Sequence, residues 1–385
     1  MSTLGLLALL IAAFAALAVV VYSSVLAVFW VIKGMNARTS QQLTEIGPYL
    51  EQALMESGFN MQTDSPGVIT LQSNRLKLEL IPAAGASIVA FSLRQGDAWV
   101  PLMRPTPIEA VAALNPSLMA SFILLPWSNR IVGARFAFQG HDYPLRANTP
   151  QGYAIHGDAM RRPWQVVERQ PTSATCRIDS RDFAGADENS FNFPFPLTAE
   201  IRYELSDAAL DTTLTLVNAG QESMPAGFGF HPYFNRGFGA AETDEAQLQL
   251  RVTGVYPPLP GMLARPIATL RAEGKPAHPV PPDMDFSQLA PIGARDLDHC
   301  FAGWDGRASI AYPSAGAQLQ FECDSVFGHV VVYTPPGRPF FAVEPVTHTN
   351  DGFNLFAEGQ PGTGVRVLRP GEQLSGRFRI RVNRR

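Results

Sequence analysis

The residues best suited to chemistry stand in residues 227–236, which read Gly-Phe-Gly-Phe-His-Pro-Tyr-Phe-Asn-Arg. His231 lies between aromatic pairs, and the glycines before it let the backbone approach a neighbour or a ligand closely. Pro232 fixes its own φ and biases His231 toward an extended conformation. The stretch therefore fits two roles: an imidazole presented to a ligand from the end of a strand, or a histidine that fills an aromatic core.

A second candidate is Glu344, which ends the apolar run Phe-Phe-Ala-Val and is followed by Pro345. A carboxyl group in that place is partly removed from water, and desolvation raises its pKa above the ordinary value of about 4.3, which makes it a better base. The alternative is a glutamate that points into solvent. Arg130 and His156 offer a guanidinium and another imidazole, but a surface ion pair and a backbone-bonded turn histidine explain them equally well.

The composition excludes several classes of protein. The net charge is −4 over 385 residues and no basic tract occurs, so nothing indicates nucleic-acid binding. The histidines lack the His-x-His and His-Glu-x-x-His spacings of metal sites, and neither a Gly-x-Ser-x-Gly elbow nor a Walker A loop occurs. The cysteines are odd in number and widely spaced, which favours reduced thiols in or near the core: Cys176, Cys300 and Cys323.

The elements that must position these residues are strands. Beyond residue 68 the apolar positions alternate, and turns rich in Gly, Pro, Asn and Asp separate the apolar runs. No long amphipathic helix and no βαβ rhythm occurs there, which predicts an all-β fold, one large antiparallel β-sandwich. The proline-rich residues 257–282 are expected to form a long surface loop. Strands are predicted at residues 76–80, 85–93, 99–103, 136–138, 164–168, 199–205, 210–217, 247–252, 318–323, 330–333, 340–344 and 377–382.

The beginning of the chain has a different character. Residues 4–32 carry no charge and are almost all apolar, a run longer than the ~20 residues that a transmembrane helix needs. Lys33 and Arg38 follow the run, so the positive-inside rule places the rest of the chain on the cytoplasmic side. We expect a transmembrane helix over residues 1–34, a juxtamembrane helix and linker over 35–65, and the β-domain over 66–385. If translation starts at Met35 or Met61, the protein is instead soluble and cytoplasmic.

The order of several short motifs resembles the aldose 1-epimerase family, the galactose mutarotases. Each motif alone is weak, but together and in this order they are specific, and the resemblance covers about residues 66–385. The family's fold is a large β-sandwich, which agrees with the strand pattern. The motifs are Asn129-Arg130-Ile131, His156-Gly157, His231-Pro232-Tyr233-Phe234-Asn235, Asp298-His299-Cys300-Phe301, and Glu344-Pro345 with Thr347-His348 after it.

The resemblance implies a mutarotase acting on a free hexose such as glucose or galactose, with no cofactor and no metal. Glu344 would be the general base that takes the proton of the anomeric hydroxyl, and His231 the general acid that protonates the ring oxygen. The sugar hydroxyls and the ring oxygen would be held or polarised by Arg130, His156 and Asp298, with Asn129 beside them. Aromatic side chains would supply a face for the apolar side of the sugar: Trp127, Tyr153, Tyr233 and Phe234.

Departures from the family pattern concern the identity of the sugar. Asp158 directly follows the His-Gly pair, where the family commonly has a second glycine soon after, and Arg236 stands where it commonly has leucine. If Arg161, Arg162 and Arg236 meet, they form a phosphate site, which favours a hexose-6-phosphate 1-epimerase. The alternative is that these arginines lie on a solvated rim.

Other classes of function remain open at the level of sequence. A non-catalytic, membrane-anchored carbohydrate-binding protein would bind sugar without accelerating anomer exchange, but it has no need of both an acid and a base. A glycosidase or lyase would use Asp298 and Glu344 as facing carboxylates, which leaves His231 without a task.

Overall fold

Antiparallel β-strands dominate the chain over residues 67–185, 187–259 and 277–384, which are the residues that the computed structural model describes. They belong to one compact unit, Ser65–Arg385. Two large sheets, one of ten and one of nine strands, account for most of the strands in these residues. The prediction of an all-β, antiparallel fold is therefore confirmed.

The strands are short and follow one another closely along the chain. The first half comprises β1 (Ile69–Gln72), β2 (Leu76–Ile81), β3 (Ser87–Gln95), β4 (Ala98–Pro101), β5 (Ser121–Leu124), β6 (Arg130–Ile131), β7 (Arg135–Phe138), β8 (His141–Pro144), β9 (Ala154–Ile155), β10 (Gln165–Gln170), β11 (Ser173–Asp179) and β12 (Leu197–Leu205). The second half comprises β13 (Ala209–Asn218), β14 (Met224–Ala226), β15 (Gly229–Asn235), β16 (Gln247–Leu250), β17 (Gly254–Val255), β18 (Ala290–Pro291), β19 (Asp298–Ala302), β20 (Arg307–Tyr312), β21 (Ala317–Cys323), β22 (His329–Tyr333), β23 (Phe340–Val346), β24 (Arg366–Leu368) and β25 (Gln373–Arg384).

Helical structure in the described residues is limited to short pieces. The α-helices are α1 (Ile108–Ala112) and α2 (Gly352–Ala357). Single 3₁₀ turns occur at Pro82–Ala84, Pro116–Leu118, Val132–Ala134, Ala159–Arg161, Ser180–Phe183, Phe238–Ala240, Pro282–Met284 and Pro313–Ala315. None of the helices in this part of the chain is long and apolar enough to span a membrane. The predicted transmembrane helix (1–34) and juxtamembrane segment (35–65) lie outside the described residues.

The strand order brings distant parts of the sequence together. The first sheet runs β1-β2-β3-β5-β15-β23-β22-β19-β17, with β4 beside β3. The second sheet runs β10-β11-β12-β13-β25-β21-β20-β16-β18. Small two-stranded sheets pair β6 with β9, β7 with β8 and β14 with β24. The centre of the first sheet is thus built from β5, β15, β23 and β22.

The core lies between the two large sheets, and β15 shows how it is divided from the outer face. Phe230 packs on Phe378 of β25 with ring centroids 5.7 Å apart, and Phe234 packs on Phe321 of β21 at 5.4 Å. Successive side chains of a strand point to opposite faces of its sheet. His231 and the residue two positions after it therefore lie on the outer face of the first sheet, away from this core.

Some strands were not predicted, among them β5, β11 and β20. All four residues of β5 are buried, so the strand shows no alternation of apolar and polar residues. A short, continuous apolar run does not distinguish a strand from a buried helix. The proline-rich loop predicted for residues 257–282 stays a prediction, because residues 260–276 lie outside the described part of the chain.

Candidate active site on the outer face of the first sheet

His231 and Glu344 stand side by side on neighbouring strands. β15 pairs with β23 in a register that matches Gly229 with Val346 and Tyr233 with Ala342, which places His231 across from Glu344. His231 Nε2 lies 3.2 Å from Glu344 Oε1. The two residues are 5% and 2% exposed. The register of one strand pair therefore brings an imidazole and a carboxyl group into contact in a nearly water-free place.

Burial opposes charge on both members of this pair. Desolvation, together with the positive charges of Arg104 and Arg130, lowers the pKa of His231 to about 3. Desolvation, with the negative charge of Asp298, raises the pKa of Glu344 well above its usual value, and only Arg130 acts the other way. The pair taken by itself therefore favours a neutral imidazole beside a carboxylic acid, and its protons belong to the pair rather than to either residue.

Arg130 and Asp298 form an ion pair close to these groups. Arg130 lies in the short strand β6, which pairs with β9, and Asp298 begins β19 of the first sheet. Arg130 Nη2 donates to Asp298 Oδ2 at 3.2 Å, and Nη1 donates to the side-chain oxygen of Asn129 at 3.1 Å. Both members of the ion pair keep some exposure, so their remaining donors and acceptors stay within reach of a ligand.

His156 is held over the same face by an unusual backbone. It has φ +67°, and its N–H donates to the carbonyl of Asn129, which itself has φ +53°. Such φ values are uncommon outside glycine and persist only where the surrounding structure imposes them. The His156 ring lies 5.3 Å from the His231 ring in an edge-on arrangement. Burial, followed by the positive charges of His231, Arg130 and Arg161, lowers the pKa of His156 well below its usual value, so it is neutral near pH 7.

Three buried side-chain atoms of the site have no hydrogen-bond partner among the described residues: Glu344 Oε2, His156 Nδ1 and His231 Nδ1. Buried polar atoms are nearly always satisfied in folded proteins, and an exception calls for an explanation such as a bound molecule. A polyhydroxy ligand could pair with such atoms, because a hydroxyl group donates and accepts.

Of the predicted aromatic wall, only Tyr233 lines the site as expected. Its ring lies 4.5 Å from that of His231, and its hydroxyl lies 3.5 Å from Nε2. The predictions for Trp127 and Phe234 were wrong: both are fully buried, Trp127 against Phe193 and Phe234 in the core between the sheets. Tyr153 is largely buried in the turn before β9.

The phosphate cluster that the sequence left open for Arg161, Arg162 and Arg236 does not form, and the alternative of a solvated rim does not describe the buried Arg236. Arg162 is bound to Asp158 and to the carbonyls of Asn189 and Ser190. Arg236 is buried and bound to Asp244 and the carbonyl of Gly293. Both guanidinium groups are used by the fold, which leaves Arg161 as the exposed member of the set.

Three residues at the site carried no signal in the sequence: Phe122, Tyr333 and Arg104. Phe122 of β5 is paired with His231, and their ring centroids are 4.6 Å apart. Tyr333 of β22 pairs with Asp298, so it lies on the same row of the sheet. Arg104 stacks on Tyr233. Their positions follow from strand pairing and from one loop, neither of which the linear pattern contains.

The described residues contain no cluster of three or more His, Cys, Asp or Glu side chains placed to hold a metal ion.

All three cysteines are free, as predicted, with Cys176 and Cys300 buried. Burial raises the pKa of Cys176 to about 11 and that of Cys300 to about 12, so both are thiols at neutral pH.

Comparison with known proteins agrees with this geometry. The family model for aldose 1-epimerase matches residues 67–381. The chain belongs to the aldose 1-epimerase family. The uncharacterized protein YphB of Escherichia coli (strain K12) is 28% identical to it over 326 residues, which cover 82% of this chain and 98% of YphB.

Solved structures of the aldose 1-epimerase family share the fold. A galactose mutarotase-like protein from Clostridium acetobutylicum superposes with a TM-score of 0.68 at 19% identity, covering 83% of this chain and 95% of its own. The GalM/aldose epimerase homologue from C. elegans gives a TM-score of 0.66 at 16% identity, covering 83% and 99%. At these identities the likeness shows the galactose mutarotase-like fold.

Proposed function

We propose that this chain is an aldose 1-epimerase that interconverts the α and β anomers of a free hexose such as glucose or galactose. The observation that carries the proposal is the 3.2 Å contact between His231 Nε2 and Glu344 Oε1 on the outer face of the first sheet. Opening a hemiacetal ring needs an acid and a base together, since one proton leaves the anomeric hydroxyl as another reaches the ring oxygen. Membership of the aldose 1-epimerase family supports this class of reaction.

Ring opening transfers two protons and breaks one bond. The Glu344 carboxylate takes the proton of the anomeric hydroxyl, and the electrons of that O–H bond form the carbonyl at C1. The C1–O5 bond breaks, its electron pair goes to O5, and O5 takes the proton from His231 Nε2. After rotation about C1–C2, the two residues exchange roles and the ring closes on the other face of C1.

The electrostatics of the pair suit this cycle. Before ring opening the pair is a carboxylate beside an imidazolium; in the aldehyde state it is a carboxylic acid beside a neutral imidazole. Burial favours the second arrangement, as the raised pKa of Glu344 and the lowered pKa of His231 indicate. Proton transfer therefore runs toward the form that the site prefers. In the charged form that must precede it, Arg130 stabilises the Glu344 carboxylate, and the sugar hydroxyls hydrogen-bond to the charged groups.

The remaining polar groups bind and orient the sugar. The Arg130–Asp298 pair and Asn129 present donors and acceptors at one side, and His156 presents a neutral imidazole at the other. A neutral imidazole both donates and accepts, as a hydroxyl does. The sugar is thereby fixed with its anomeric carbon near Glu344, which converts a loose encounter into an oriented one.

The test is the rate at which fresh α-D-glucose and α-D-galactose lose their optical rotation. We expect Glu344→Gln to lower kcat by about a thousand-fold, because the amide cannot accept the proton. Glu79→Gln is the matched control, since Glu79 is a fully buried glutamate in β2 of the same sheet, paired with Lys77 and not with the site. Sugar binding by the parent protein without faster anomer exchange, or an active Glu344→Gln variant, would contradict the proposal.

A further inference from the structure

Arg104 lies next to the proposed site, on the loop between β4 and α1. Its backbone N–H donates to the carbonyl of Tyr233 at 2.9 Å. Its Nη2 donates to the carbonyls of Ser117 at 3.2 Å and Met119 at 2.7 Å. The guanidinium carbon lies 3.5 Å from the ring centroid of Tyr233 and 4.7 Å from that of Phe340. The side chain is therefore fixed in place by backbone carbonyls and by aromatic rings.

The charge of Arg104 has no counter-ion in the part of the chain that the structure describes. Among the described residues no carboxylate forms an ion pair with it, and its Nε is buried without a hydrogen-bond partner. The side chain is half-buried, and a cation that loses part of its hydration costs free energy unless it is paired. Stacking on aromatic rings recovers part of this cost. The ionisable groups that interact with this charge, Tyr233 and Tyr333, lie at the proposed site.

Tyr233 connects Arg104 to His231. The Tyr233 ring contacts the guanidinium and also lies 4.5 Å from the His231 ring. Its hydroxyl lies 3.5 Å from His231 Nε2, the same nitrogen that meets Glu344. A shift of Tyr233 would thus move the group that borders the proton-carrying atom. The positive charge of Arg104 also contributes to the lowered pKa of His231.

We propose that Arg104 is a positioning residue of this site: it clamps Tyr233 against His231 and sets a positive charge against the Tyr233 ring, close enough to act on the imidazole. The inference rests on the proposed function, in which His231 Nε2 gives its proton to the ring oxygen. The charge makes the imidazolium a stronger acid, and the clamp keeps Nε2 directed at the substrate. Arg104 acts through Tyr233 and His231 and does not itself touch the sugar.

Other charged or titratable groups face His231 as well. Glu344 approaches from β23, His156 from the loop after β9 and Arg130 from β6, while Tyr233 lies on the same strand. Substitution of Arg104 releases Tyr233 but changes the chemical identity of none of these groups. A shift in the pH dependence of the Arg104 variants relative to the parent therefore reports the contribution of Arg104.

The test compares pH profiles of kcat/KM for mutarotation in Arg104→Gln, Arg104→Lys and the parent. For Arg104→Gln we expect kcat to fall about ten-fold and the acid limb of the profile to move up by about half a pH unit or more. Without the cation, the His231–Glu344 pair takes up a further proton at a higher pH. For Arg104→Lys we expect the acid limb to lie at the same pH as in the parent, because an ammonium group keeps the charge. We expect kcat to fall about five-fold, because an ammonium group lacks the planar surface that stacks on the Tyr233 ring.

A matched control is Arg384→Gln, which also removes an arginine that stacks over a ring, Phe238, and donates to a carbonyl, that of Ala315. It should leave both kcat and the acid limb with the parent. A folded Arg104→Gln protein with the parent's acid limb would overturn the inference. If Arg104→Gln does not fold, Tyr233→Phe is measured: we expect a several-fold lower kcat at unchanged KM, and an unchanged kcat overturns the inference instead.

The two proposals fail in different ways. If Glu344→Gln keeps the parent's rate, the proposed function is wrong, and the inference about Arg104 falls with it. If Glu344→Gln is inactive while Arg104→Gln keeps both the rate and the pH profile, the function stands and only the role of Arg104 is wrong.

Discussion

At the scale of single residues, burial disfavours the charged forms of both reacting groups. A carboxyl group and an imidazole in contact would ordinarily form an ion pair, yet burial raises the pKa of Glu344 and lowers that of His231. The ion-pair form and the neutral form differ only in the place of one proton, so the site can pass between them without exchange with solvent. That property suits a reaction that returns every proton it takes.

The pH dependence of kcat/KM follows from these shifts. In the active form, His231 and Glu344 together hold one proton beyond the one that a neutral imidazole carries. Activity is lost at low pH, when the pair takes up a further proton, and at high pH, when it loses the shared one. We expect the acid limb near the lowered pKa of His231, about 3, and the alkaline limb at the raised pKa of Glu344, well above 4.5. Initial rates of mutarotation across the pH range, corrected for the buffer-catalysed rate, measure both. Loss of activity on the alkaline side near pH 5, as an unshifted carboxyl would give, would contradict the assignment.

At the scale of elements, two kinds of structure position the site. Regular strands carry His231 and Glu344, whose contact follows from the pairing of β15 with β23. Irregular segments carry Asn129 and His156, both at positive φ, which hydrogen-bond to one another through the backbone. The strands fix the reacting groups, and the strained segments bring the binding groups above them.

A substitution of Gly157 tests the role of the irregular segment that carries His156. It has φ +69°, and a Cβ added there would overlap the carbonyl of Leu125, against which this segment packs. We expect Gly157→Ala to destabilise the fold by about 2 kcal/mol or more and to raise KM, because the segment that carries His156 must shift. Urea unfolding and steady-state kinetics measure the two effects.

Gly152 in the same region supplies the control for Gly157. It also has a positive φ, +78°, but an added Cβ would meet nothing within 4 Å. Gly152→Ala therefore carries the backbone strain without the overlap. Equal losses of stability and equal KM values in the two variants would show that the contact with Leu125 does not hold His156 in place.

At the scale of the whole molecule, the sandwich separates stability from chemistry by the two faces of one sheet. The inner face of β15 contributes phenylalanines to the core, and the outer face contributes His231 and Tyr233. The second sheet does not reach the reacting groups, but it supplies the apolar surface that holds the first sheet in shape.

Adjacent residues of β15 should therefore respond differently to substitution. Phe234→Ala removes a fully buried ring that packs on Phe321 and Phe341, and we expect a loss of about 3–5 kcal/mol in the free energy of unfolding. Tyr233→Phe, one position earlier, should lower kcat with little change in stability. Chemical denaturation and mutarotation assays on both variants measure the contrast. A Phe234→Ala protein of undiminished stability, or one whose main defect is in KM, would place Phe234 at the site instead of in the core.

Local patterns in the sequence were enough to predict the class of fold and the ordered motifs of the site. Alternation of apolar and polar residues predicts half-buried strands because a strand's side chains alternate between faces, and this holds for strands such as β12 and β13. It fails for β5, which is buried on both faces. Glu344 was predicted to be desolvated from the apolar run before it, and the structure places it at 2% exposure.

Only the tertiary structure decided which of these residues meet. His231 contacts Glu344 because of a register between strands that are far apart in sequence, and register is a property of pairing that neither strand carries alone. The fold pairs Arg162 and Arg236 with internal partners, so neither is free to bind a phosphate group. It also buries Trp127 and Phe234 in the core. It also brought Arg104 against Tyr233 through a loop contact with no signal in the sequence. Residue types set what chemistry is available to this chain, and long-range packing determined which groups share one site, because contact energies depend on distances that the linear order does not contain.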